Sequence, residues 1–117
     1  MRVIMFQDRF AELVRRGIKQ QTIRKSAPCK EGELLSLRRW SGKPYRSKQK
    51  TLRSAICLDV LPVVIYCDGV RVDGNAVPGK YMAVLDGFRD WYEMREWFEK
   101  AHGLPFAGWL ITWRDAP

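Results

Sequence analysis

The chain is short of acid. Against 21 lysines and arginines it carries 13 aspartates and glutamates, which leaves a formal net charge of +8 and a pI of about 9.8. Excess positive charge of that size attracts polyanions, with nucleic acid first among them. Metal-binding side chains are as scarce. There is one histidine, His102, and there are three cysteines, Cys29, Cys57 and Cys67, none with C-x-x-C spacing. Four soft ligands would consume all of them at spacings unlike a zinc site, so no metal and no other cofactor is expected. An odd set of scattered cysteines reads as ordinary buried or half-buried thiols in a reducing cytoplasm. Long apolar runs are also missing. The opening MRVIMF is too short for a signal h-region, Asp8 interrupts its continuation, and no window approaches a bilayer span. The expectation is a cytoplasmic protein without membrane contact.

What is present suffices for one core. Hydrophobic residues are 46% of 117, which suggests a single domain over 1–117. In QDRFAELVRRG, Phe10, Leu13 and Val14 share a helix face, and Gly17 is placed to end that helix in a left-handed conformation. TIRK is short and β-capable, Ser26–Gly32 is a loop, and GELLSLRRW reads as a strand. Leu52, Ser54, Ile56, Leu58 and Val60 alternate with Arg53, Ala55, Cys57 and Asp59, as in a strand with one buried face. Pro62 is expected to break or bulge it. VVIY and VRV read as strands meeting at an Asp68-Gly69 turn, and NAVPGK as a loop. Asp90 and Glu93 have the spacing of a helix cap, and Trp91, Met94, Phe98 and Ala101 form an apolar stripe that ends before Gly103. GWLITWR closes the chain as a strand with Trp109, Ile111 and Trp113 on one face. Short strands of period two without a βαβ rhythm predict an α+β fold: a small, mostly antiparallel barrel with two or more flanking helices.

Two constellations carry chemistry. The first is GIKQQTIRK, with Lys19, Thr22 and Arg24. A threonine hydroxyl is a poor nucleophile without a base beside it, and Lys19 serves as that base only if burial or nearby cations lower its pKa. In a regular strand Lys19 and Thr22 face opposite sides, so Lys19 must lie in the turn after Gly17 and curl back. The plain alternative makes Lys19 and Arg24 exposed rim charges that contribute little to folding, Thr22 a β-branched strand residue, and Asp86 a turn residue before Gly87. The second constellation is RRWSGKPYRSKQKTLR, with seven basic residues and no acid. Arg38, Arg46 and Lys48 suit phosphates, and Trp40 and Tyr45 suit base stacking. Its plain alternative is a solvated loop with aromatics tucked inward. SGKPYRS lacks the upstream glycine of a phosphate loop and has Pro44 where Ser or Thr belongs.

A helix, then G-x-K-x-x-(E/T)-x-R, then a strand resembles the signature of ASCH domains, whose fold is a PUA-like β-barrel. GELLSLRRW, LDGFRDWYEMREWF and FAGWLITW resemble later pieces of that family in order, so the similarity spans nearly the whole chain. The resemblance implies binding of RNA or a modified nucleoside in the barrel mouth, with Lys19, Thr22, Arg24 and Asp86 converging there. One bacterial branch consists of amidohydrolases that remove the acyl group of N4-acetylcytidine with a lysine, a threonine and a glutamate. On that pattern Lys19 is the base, Thr22 the nucleophile and Asp86 the orienting acid, one methylene shorter than the glutamate. Ribonuclease activity also occurs in the family. A reading of another class is a protein-interaction or inhibitor module that uses the basic face against an acidic partner.

Overall fold

The computed structural model describes all 117 residues as seven strands and three helices. The opening apolar run, not foreseen as a strand, is β1 (Arg2–Met5). Ile4 turns inward there, and Phe6 follows it into the core. Helix α1 (Asp8–Arg15) buries Phe10, Ala11 and Val14. Strand β2 (Gln21–Arg24) is the predicted TIRK segment shifted by one residue, and β3 (Leu34–Trp40) is the predicted second strand.

Strand β4 (Gln49–Tyr66) is the spine. On one edge it pairs with β3 up to Ile56 and then, from Val63, with β5 (Gly69–Val72); on the other it pairs with β7 (Phe106–Asp115). Pro62 does not break it. A proline lacks only its N–H, and Pro62 sits between the end of the β3 pairing and the start of the β5 pairing. Its carbonyl accepts from Asp73 N on that side, just outside the β5 register, so the missing donor costs neither ladder a bond. The irregularity lies instead between Cys57 and Asp59, in the register with β7. The buried face of β4 carries Ala55 and Cys57, then Val63 and Ile65, while Leu58 is exposed.

NAVPGK is not a loop throughout. It contributes β6 (Asn75–Val77), paired with β5, and the start of α2 (Gly79–Leu85). A Cβ on Gly79 would meet the Trp91 ring at 2.9 Å, so the glycine permits α2 to lie against the last helix. That helix, α3 (Trp91–His102), is capped by the Asp90 side chain accepting from Glu93 N at 2.8 Å. It buries Met94 and Phe98. Trp91 is half-buried and packs against the core, as does Trp97, while Ala101 is exposed. On β7, Ile111 and Trp113 are buried as expected, but Trp109 is 37% exposed.

The strand path β1-β3-β4-β7-β2 is antiparallel except for β1 against β3, which is parallel. Its ends, β1 and β2, do not pair. The sheet is therefore open, and the barrel of the sequence reading is not closed by a strand ladder. No helix is long and apolar enough to cross a membrane.

Candidate functional site

Two helix ends build the site in the same way. At the end of α1, Gly17 adopts φ 76, its N–H donates to Val14 O, and Ile18 N donates to Leu13 O. At the end of α2, Gly87 adopts φ 91, its N–H donates to Val84 O, and Phe88 N donates to Ala83 O. Both are Schellman turns, which need a residue that tolerates positive φ. The first throws the chain back so that Lys19 lies in the turn and not in the strand; the second places Asp86 at its cap. Gln20 N donates to Leu85 O at 2.9 Å, and Lys19 Nζ donates to the carbonyl of Asp86, so the turns are stitched together. A Cβ on Gly87 would stand 3.1 Å from Lys19 Cδ, so that glycine also makes room for the lysine stem. Arg53 secures the α1 end from outside by donating to Val14 O and Arg15 O.

Lys19, Thr22, Arg24 and Asp86 line one cavity of about 160 Å³ at the opening between β1 and β2. Met5, Phe6 and Gln7 form part of its wall, with Phe10, Phe88, Trp97, Phe98 and His102 contributing rings from α1, the Gly87 turn and α3. Lys19 and Asp86 are each 3% exposed, which removes the reading of Lys19 as a rim charge of little structural weight. Lys19 Nζ stands 3.3 Å from Asp86 Oδ1 and 4.8 Å from the centroid of the Phe10 ring. The approach to Oδ1 is an ion pair without hydrogen-bond alignment, and that oxygen has no hydrogen-bond partner. Arg24 is half-buried. Its Nε donates to Thr22 Oγ1 at 3.1 Å, its Nη2 donates to Met5 O at 2.7 Å, and its guanidinium lies over Phe6. Through these bonds it joins β2 to β1, in addition to whatever it offers a ligand.

Burial dominates the electrostatics. It pushes the Asp86 carboxyl up to about 6, against the pull of Lys19, Gln21 and Arg24. It pushes the Lys19 ammonium down, opposed by Asp86 and reinforced by Arg24 and Arg9. A carboxyl and an amine whose pKa values burial shifts toward each other, side by side in a partly open cavity, are a pattern enriched at functional sites.

The second constellation does not enter this cavity. Arg38 donates to Ser36 Oγ and Gln49 Oε1, and Arg39 pairs with Asp8. Arg46 and Lys48 are exposed and Trp40 is half-buried. Tyr45 is 89% exposed, so at least one aromatic of the zone is not tucked inward. Sequence reading missed the rings of Phe6, Phe10, Phe88 and Trp97, and missed Gln21, which is buried beside Asp86. Helical spacing had marked Phe10 as core, and nothing in the spacing distinguishes a core ring from a ring that lines a hollow. Comparison with family models, curated proteins and solved structures finds no match to this chain.

Proposed function

We propose that the protein is an ASCH-type, PUA-like domain that binds a nucleobase, of RNA or of a modified nucleoside, in the cavity of Lys19, Thr22 and Asp86. One observation carries the reading: Asp86 Oδ1 is a buried acceptor without a donor, in a hollow walled by aromatic rings. Its one near cation, Lys19 Nζ at 3.3 Å, is misaligned for a hydrogen bond, so a ligand N–H would add the bond that Oδ1 lacks. The exocyclic amine of cytosine is a donor of that kind, and the rings supply stacking faces. Arg46 and Lys48 then attract the backbone of a longer ligand from the adjoining surface. The barrel reading is supported by the five-strand path whose ends Arg24 joins. A reducing cytoplasm suits Cys29 and Cys57, whose sulfurs lie 3.7 Å apart as free thiols.

A second reading, amidohydrolysis of an N4-acylated cytidine, is favoured by the lowered pKa of Lys19 in the cavity that holds Thr22. In it Thr22 Oγ1 attacks the acyl carbon, and neutral Lys19 takes the hydroxyl proton and passes it to the leaving amine. Water then hydrolyses the threonyl ester. The Arg24 N–H on Thr22 Oγ1 favours loss of that proton. No comparable observation stands behind a ribonuclease or an inhibitor module.

The test is a thermal-shift titration with cytidine, N4-acetylcytidine and short RNAs, with chromatography of the products. Saturating ligand at a hundred times its Kd stabilises the fold by about 2.7 kcal/mol, and Asp86→Asn is expected to weaken that shift. No shift with any of these ligands sinks the reading. Cytidine released by the parent and not by Thr22→Val establishes the second.

A further inference from the structure

The hollow does not end at Phe6. A second cavity of about 400 Å³ shares Met5, Phe6 and Gln7 with the first, and the rest of its lining includes Trp40, Pro44 and Tyr45. The Trp40 and Tyr45 rings stand 5.0 Å apart and tilted by 49°. Tyr45 is largely exposed and sits at φ 62, a conformation that disfavours any side chain and persists only where the surroundings impose it. The loop imposes it with its own bonds. Ser41 N donates to Lys48 O, Gly42 N to Ser47 Oγ, and Ser47 Oγ to Lys43 O. A braced loop that holds an aromatic ring outward beside a hollow is unexplained by core packing. Charge adds a second, independent pointer. Asp8, the one acid in the lining, is paired with Arg39 at 3.3 Å, whereas Lys43, Arg46 and Lys48 on the loop have no acidic partner.

We infer that this second cavity is a base subsite, and that the ligand is therefore a single strand of at least two nucleotides. One base enters the Asp86 cavity, its neighbour stacks on Trp40 and Tyr45 across the Phe6 wall, and the joining phosphate lies in the field of the unpaired lysines and arginine. A duplex is excluded as ligand because its bases are already stacked and paired, so they cannot occupy two separate hollows. The inference rests on the reading of the Asp86 cavity as a base pocket, and its test separates the two.

The test is calorimetric titration, at one fixed salt concentration, with cytidine, the dinucleotide CpC, and the two dinucleotides in which either cytosine is replaced by an abasic ribose. Stacking of one base predicts that CpC binds about tenfold more tightly than the tighter abasic form. Tyr45→Ala should reduce that ratio severalfold, and Tyr45→Phe should keep it. Cytidine binding with no gain from the second base overturns the subsite and leaves the first cavity intact. A gain undiminished by Tyr45→Ala also overturns it, since the second base then stacks away from the ring pair. Binding of none of the four overturns the base-pocket reading, and the subsite falls with it.

Discussion

Lys19 and Asp86 owe their chemistry to being kept from water. Burial pushes the Asp86 carboxyl up to about 6, so its charge changes close to neutral pH. If Asp86 accepts a ligand N–H, it does so as the carboxylate. Affinity for cytidine should therefore rise between about pH 5 and about pH 7, and Asp86→Asn should flatten the profile. A flat profile in the parent would show that the carboxylate takes no part. Stability moves the other way. A carboxyl that is more basic in the folded chain than in the unfolded one contributes stability in acid, and loses it as the pH rises through about 6. At this scale the sequence was informative about identity and silent about environment. The spacing of Lys19, Thr22 and Arg24 was visible, and the resemblance singled out Asp86. Their burial was not visible, because it depends on rings contributed by α1, α3 and the Gly87 turn.

Among the elements, the helix ends matter most to the site. Gly87 serves both the backbone turn and the lysine stem beside it. Gly87→Ala should cost about 1–3 kcal/mol in chemical denaturation and should also weaken ligand binding by displacing Lys19. Gly32→Ala is the control: it has φ 86 but no neighbour within 4 Å, so stability should fall with affinity retained. Equal affinity in the two variants would remove the Gly87–Lys19 contact from the account. The helices α1 and α3 were readable because each combines an apolar face with a terminal glycine, and α3 adds an Asp90 cap. Helix α2 was not. It has seven residues, begins after Pro78 and has no side-chain cap bond, so composition alone suggested a loop. Strand β1 was missed because four residues are too few to show a period. Pro62 misled because its tolerance depends on which neighbours stop beside it, and that is a property of β3 and β5.

Over the whole molecule, the +8 charge divides into cations that hold the fold and cations that do not. Arg53 binds the end of α1 and Asp115, and Arg39 binds Asp8. Lys43, Arg46, Lys48 and Lys50 have no acidic partner. Changing Arg46, Lys48 and Lys50 to Ala should reduce the salt slope of RNA binding by up to about two units, three contacts' worth at the single-strand coefficient. An unchanged slope would remove the basic loop from the RNA surface. Composition and periodicity conveyed the α+β class and the mostly antiparallel sheet. They did not convey closure, because whether β1 meets β2 is decided by how β3 and β7 hang from β4, far away in the chain.

Across the gap between β1 and β2 the protein's own link is the Arg24 side chain on Met5 O. Parting that boundary would cost the Arg24 hydrogen bonds and its contact with the Phe6 ring, with every strand ladder left whole. A fully laddered sheet would have to unzip before admitting anything. A ligand that enters the proposed pocket at this edge would displace side-chain bonds and no ladder, so its entry need not involve unfolding of the sheet.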